Sequence, residues 1–366
     1  MSSLLSASRA CGLPLHTRTL TVVVSRESDR LWRARGDVID LRKNGCVPSV
    51  DDVQPAGIIH MMKLELDVDP DTLRLDRVGV EQPFVAVEPS AATGFESCRD
   101  PAPRLVAMAG ERLDEGFNRR LGAAFGGALG CSHLLTLFQL MASTVPRALR
   151  LEAARAEAER TPTAPATRFF RRSLFVDGSL MPDQSIDVAT QLTDSHTRPP
   201  FPGNRGVERL VSIHEVKAFA RVERKRFVVD RLEAFERARG RDADPETPWH
   251  DHGPLVAPLA HVPILPGMAR RIFDRLGEDE SKRTLQDTLL QLAPGFIQIT
   301  AALMDHTLRR PIAGPGAAAD ATPDRQDDDP ATPSVAGIGG MPDSCYMWRR
   351  DSPYTIARRE AMRPRD

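Results

Sequence analysis

An internal repeat constrains this chain more than any other feature. The run Ile59-His60-Met61-Met62-Lys63-Leu64-Glu65-Leu66-Asp67-Val68 aligns without a gap on Ile213-His214-Glu215-Val216-Lys217-Ala218-Phe219-Ala220-Arg221-Val222, at an offset of 154 residues. The match continues from Leu75-Asp76-Arg77-Val78 to Val229-Asp230-Arg231-Leu232. A second block follows in the same order, Gly116-Phe117-Asn118-Arg119-Arg120-Leu121 against Gly267-Met268-Ala269-Arg270-Arg271-Ile272. Each block then leads through a glycine, Gly126 or Gly277, into a long helical pattern. Two blocks in one order predict a duplicated domain. Near-symmetric faces on the two copies predict that they pack as a pseudo-dimer within the chain.

Periodicity predicts what each copy contains. Thr19 to Val24 and Asp37 to Leu41 read as strands. From Ile58 to Val68 apolar and polar residues alternate, with Met62, Leu64, Leu66 and Val68 on one face and Lys63, Glu65 and Asp67 on the other. Asp69-Pro70-Asp71 is a turn, and Thr72 to Val80 returns as the partner strand of a hairpin. Glu111 to Phe125 and Ser132 to about Glu159 read as helices. Leu134, Leu137, Phe138, Met141 and Val145 form the apolar stripe of the second, and Pro146 predicts a kink or an end to its first part. The fold class is therefore α+β, with two related domains, each an antiparallel sheet plus helices. The first copy spans 14–160 and a degenerate second spans 168–310. Residues 311–342, rich in Pro, Gly, Ala and Asp, are expected to be a disordered linker. Residues 343–366 carry Cys345, Tyr346, Met347, Trp348 and Tyr354, and are expected to fold back over the first copy.

The copies differ where chemistry is expected. Gly130-Cys131-Ser132-His133-Leu134 sits where a glycine-rich stretch enters a helix, and in the second copy Cys131-Ser132-His133-Leu134 becomes Lys282-Arg283-Thr284-Leu285. Free N–H groups and partial positive charge at a helix start favour a thiolate, the form that binds metals and attacks electrophiles. On a regular helix Cys131 and His133 point about 200° apart, so they converge only if Cys131 lies in the preceding turn. His60 shares strand parity with Met62 and Leu64 and points with the buried face, either as a hydrogen-bonded core histidine or as a ligand. Cys98 lies in the loop Gly94 to Pro101. His60, Cys98, Cys131 and His133 form a mixed N/S set that suits zinc or iron rather than magnesium or calcium. Cys345 is a further ligand or a lid residue. His250-Asp251-His252 sits in a Pro-rich loop of the second copy, where a solvated loop is the default reading.

Composition excludes several classes. The net charge is −1, and no global argument for nucleic acid follows. No apolar run reaches the length of a membrane span, and residues 1–15 make a poor signal peptide. Five cysteines scattered over 366 residues argue against a disulfide framework, so a reducing, cytoplasmic compartment is expected. The dinucleotide, P-loop, HExxH and GxSxG signatures are missing.

The first copy resembles a bacterial domain-of-unknown-function family. The likeness rests on His16-Thr17-Arg18, Ile59-His60-Met61-Met62, Cys98 and Gly130 to Leu134, with a tail segment Ser344-Cys345-Tyr346-Met347 in which Tyr346 stands where the family has His. It covers about residues 14–150 and 340–360 and implies no established activity. The hairpin His60 to Asp69 also resembles the U-type iron–sulfur scaffold proteins, which have a Cys where His60 stands. Three functions follow. The leading one is a metal-binding protein with a His/Cys site in the first domain, acting on a small molecule as a hydrolase, hydratase or lyase. The second is a thiol enzyme with Cys131 as nucleophile and His133 or His60 as base. The third is a non-enzymatic metal or cluster scaffold with a protein partner.

Overall fold

The computed structural model describes residues 12–200, 206–242, 246–277, 279–304 and 340–361. Cys11 and most of the expected linker 311–342 lie outside them. One mixed architecture results, a nine-stranded antiparallel sheet with helices. The strands are β1 Leu13–Arg26, β2 Trp32–Arg42, β3 Val47–Pro48, β4 Val53–Gln54, β5 Gly57–Val68, β6 Leu75–Phe84, β7 Thr167–Leu180, β8 Ile186–Thr197, β9 Leu210–Glu223, β10 Val228–Gly240 and β11 His250–Asp251. The helices are α1 Ala102–Val106, α2 Phe117–Phe125, α3 Ser132–Glu159, α4 Gly253–Val256, α5 Met268–Leu276, α6 Arg283–Leu290, α7 Leu292–Ala302 and α8 Pro353–Ala361. The sheet order is β11-β10-β9-β8-β7-β1-β2-β5-β6, while β3 and β4 form a separate small hairpin.

Short turns join β1 to β2, β5 to β6, β7 to β8 and β9 to β10, which makes each of these pairs antiparallel. Between β5 and β6 the Asp69 carboxylate accepts from the backbone N–H of Asp71 at 3.0 Å and of Thr72 at 2.8 Å. At the centre β1 pairs with β7, and Leu20 sits opposite Leu174. Register then aligns rows across the sheet. Arg18 faces Asp40 and Asp40 faces His60 on β1, β2 and β5. Arg172 faces Asp194 and Asp194 faces His214 on β7, β8 and β9.

One face of the sheet is apolar and carries the helices. Leu20, Val22, Val38, Met62, Leu64, Leu66, Leu174, Val188 and Val216 are buried there. Alternate residues form ion pairs on the other face, such as Arg33 with Asp67 at 2.6 Å and Arg221 with Asp187 at 2.8 Å. The helix α3 begins and ends where its sequence pattern predicts, but it does not stop at Pro146. Met141, Val145 and Ala148 are buried on both sides of the proline, and this packing offsets the lost hydrogen bond. The helix expected from Glu111 starts only at Phe117. Before it, Arg112 bridges to Arg74, and the Asp114 carboxylate accepts from Gly116 N–H at 3.0 Å in a turn.

Helix α7 reaches the sheet through two glycines. A Cβ on Gly295 would meet Val176 Cγ1 at 2.5 Å, and one on Gly178 would collide with the side chain of Ile299. Gly178→Ala is expected to cost about 1–3 kcal/mol through overpacking, read as a lowered denaturation midpoint with an unchanged slope.

The far end of α3 is fastened by a buried polar network. Glu152, 1% exposed, binds Arg155 and Thr163, and His196 Nε2 lies 2.7 Å from its carboxylate. Burial pushes this carboxyl up, but the hydrogen bonds from His196, Arg155 and Thr163 outweigh it and hold the group below its usual range. A depressed carboxyl stabilises the fold above its unfolded pKa of ~4.3, and that stability is lost as pH falls through the folded value. Thermal melts from pH 6 to pH 3 should therefore show a fall beginning near ~4.3, with a shallower acid slope in Glu152→Gln.

Candidate metal centre

Asp40 is the centre of the site. On β2 it shares parity with Ala34, Gly36 and Val38, so it faces the helix layer, and it is fully buried. His60 reaches it from the neighbouring strand, and His133 reaches it from the first turn of α3. Cys131 is the N-cap of that helix and has extended backbone, as convergence with His133 requires. The two imidazoles lie ring against ring, with centroids 3.9 Å apart and planes at 33°.

The contacts are unusual for a core. His16 Nε2 lies 3.0 Å from Asp40 Oδ1 and fixes the carboxylate from behind. Arg18 Nη2 donates to Thr136 Oγ1 at 2.6 Å, and its Nη1 is 3.8 Å from Asp40 Oδ2. The other carboxylate oxygen, Oδ2, is 2.9 Å from His133 Nε2 and 3.8 Å from His60 Nδ1. Yet Asp40 Oδ2, His60 Nδ1 and His133 Nε2 are all buried and lack a hydrogen-bond partner of proper geometry. Buried polar atoms are normally satisfied. Such a convergence of potential ligand atoms is what a cation site requires, and each of the three residues offers one such atom within 4.8 Å of the others. Asp40, His60 and His133 could thus hold a metal ion.

The charge states agree with this. Burial pushes the Asp40 carboxyl up, but Arg18, His133 and His16 outweigh it and hold the group well below the usual carboxylate range. Burial and the neighbouring His133 push His60 well down. Burial also lowers His133, against the pull of Asp40. The site thus presents a carboxylate and two neutral imidazoles, the forms that ligate metals.

The cysteines lie around this centre rather than in it. Cys131 Sγ is 3.8 Å from His133 Nδ1 and 3.7 Å from Met62 Sδ. Burial pushes the Cys131 thiol up to about 12, against hydrogen bonds from the backbone of Leu134 and His133. The thiolate expected at this helix start is therefore disfavoured, because desolvation exceeds the help of the helix end. Cys98 and Cys345 line the same cavity, and burial raises both thiols. That cavity, of about 180 Å³, opens beside the two histidines. Its far wall comes from α7 and from residues 340–358. Tyr346 N–H donates to Gly130 O at 2.7 Å, and Met347 and Tyr354 pack on Val87, so the terminal segment lies over the start of α3.

The second row is filled differently. Arg172 binds Asp194 at 2.7 and 2.8 Å and Asp287 at 2.7 Å. Arg147 from α3 reaches Asp194 at 3.1 Å and His214 Nδ1 at 2.9 Å. A guanidinium thus lies against this Asp/His pair. Of the His-Asp-His segment, His252 Nε2 contacts Glu236 at 2.6 Å, and Glu236 also contacts His214 at 2.5 Å.

Asp40 escaped the sequence reading. Its signal was a lone acid on the apolar parity of a strand, three positions into the pattern Val38-Ile39-Asp40. Arg18 on β1 gave the same signal, as a charge among Leu20, Val22 and Val24.

A buried two-histidine, one-carboxylate cluster on an antiparallel sheet is the class of site defined here. A family model covers residues 16–147, and it is described as a protein of unknown function (DUF2889). The covered stretch contains His16, Arg18, Asp40, His60, Cys98, Cys131 and His133. No curated protein and no solved structure matches the chain, iron–sulfur scaffolds included.

Proposed function

We propose that the chain is a metal-dependent enzyme whose zinc or iron ion is held by Asp40, His60 and His133 and which acts on a small molecule as a hydrolase, hydratase or lyase. The observation that carries this reading is the convergence of three buried potential ligand atoms from Asp40, His60 and His133, none in a hydrogen bond of proper geometry among the described residues. Two imidazoles and one carboxylate suit zinc or ferrous iron better than the hard cations. When bound, such an ion polarises a carbonyl or activates water. The protein's own residues prepare the site. His16 orients Asp40, Thr136 positions Arg18, and Cys131 flanks the outer nitrogen of His133. The terminal segment and α7 limit the access of water.

The thiol reading is kept alive by the 3.8 Å approach of Cys131 to His133. Elemental analysis combined with X-ray absorption separates the two. The metal reading expects about one ion per chain with nitrogen and oxygen ligands at ~2.0–2.2 Å. A protein that retains no metal after loading, or one whose ion has a sulfur-dominated shell at ~2.3 Å, overturns the ligand set.

The two halves read as copies of one ancestral unit, 14–160 and 168–310, with the second degenerate. Their support is the offset of 154 residues, which also relates Arg18, Asp40 and His60 to Arg172, Asp194 and His214. On this reading Arg147 replaces the ion in the second copy. Cys98, Cys131 and Cys345 are free thiols, which suits a reducing, cytoplasmic compartment.

A further inference from the structure

We infer that the cavity beside the Asp40 site takes a small organic carboxylate, its charged head held by Arg42 and its apolar body lying against Ile59, Ile297 and Trp348. This adds a substrate class to the metal reading above and rests on it only for what happens to the bound molecule. Three arginines, Arg18, Arg42 and Arg358, line the cavity, and its wall contains no Asp or Glu. Arg18 is turned toward Asp40 and Thr136. Arg42 is different. It is only 3% exposed, yet it has no ion-pair partner among the described residues. One of its nitrogens donates to Gln54 O at 2.7 Å, and its Nε has no hydrogen-bond partner among the described residues. A buried cation normally has a counter-ion, because desolvation alone is costly. A guanidinium that faces a cavity without one is a receptor for an anion, and its planar fork matches a carboxylate.

The remaining wall narrows the choice. Ile59, Ile297 and Trp348 offer apolar surface, which suits a hydrocarbon body and disfavours an ion that carries oxygen on every side, such as phosphate. A cavity of about 180 Å³ is small for a ligand site, which favours an acid of few carbons over an extended one.

Calorimetric titration with butyrate and benzoate, against butyramide, benzamide and inorganic phosphate, tests the inference on the full chain. Both chelator-treated and zinc-loaded protein are used. At least one acid is expected to bind roughly 10- to 100-fold tighter than its amide, the worth of a charge-assisted hydrogen bond. Arg42→Gln should abolish that preference while leaving amide binding unchanged, and Arg42→Lys should restore part of it. Equal affinity of acids and amides, no binding of either acid, or tighter binding of phosphate overturns the inference. If Arg42→Gln fails to fold, the acid-to-amide ratio of the wild type still decides. An acid preference in protein that binds no zinc would sink the metal reading alone. Zinc binding without an acid preference would sink the carboxylate reading alone.

Discussion

Asp40→Ala is expected to abolish tight metal binding while leaving a folded protein. The side chain contributes the carboxylate that approaches His133 Nε2 at 2.9 Å and His60 Nδ1 at 3.8 Å. Its removal should lower zinc affinity by more than the ~10- to 100-fold that loss of an outer hydrogen-bond partner costs. His16→Ala supplies that comparison, since His16 touches only the back of the carboxylate among the proposed ligands. Competition with a chromophoric chelator measures both. Equal losses in the two variants would mean that Asp40 supports the site without ligating. Removal of the ion from the wild type is also expected to lower the melting temperature, because anything bound to the folded state alone stabilises it.

Arg172→Met should be the most destabilising single change in the second half. Arg172 is fully buried and holds Asp194 and Asp287 together. Burial opposes its charge, but the two carboxylates outweigh this and raise its pKa further. Without it, Asp287 is left with Ser143 at 2.6 Å, and Asp194 with Arg147. Breaking a buried ion pair from one side costs about 3–5 kcal/mol. Denaturant unfolding should register that loss. The companion variant Arg172→Met with Asp194→Leu and Asp287→Leu should recover part of it, since only the partly exposed Arg147 then lacks its carboxylate. A small loss in the single variant would show that water reaches the site.

Much of the framework was legible because it rests on local periodicity. The hairpin from Ile58, the limits of α3 and the inward direction of His60 follow from alternation and from the helical repeat. Strands β1 and β2 proved longer than their apolar runs: Arg18 precedes the expected start of β1 at Thr19, Arg42 follows the expected end of β2 at Leu41, and Asp40 is a charge within the expected stretch. Those same charges belong to the site. A charged residue on an apolar parity looks like the end of a strand when it is a functional residue inside one. What brings Asp40 between His16, His60 and His133 is cross-strand register and the docking of α3, neither of which is written in local spacing. The cysteines drew attention because thiols are chemically conspicuous. Burial, invisible in sequence, pushes Cys131 away from the thiolate.

The central pairing of β1 with β7 has a practical consequence for anyone wishing to work with a smaller piece. A fragment ending near residue 160 would retain every residue of the family match, yet it would bare the full 14-residue flank of β1. Exposed strand flanks of that length recruit other chains and aggregate. The fragment would also lack α7 and the terminal turn that wall the cavity. Useful dissection should proceed by point substitution within the whole chain, because the matched stretch carries the proposed ligands while part of the wall around them comes from elsewhere in the chain.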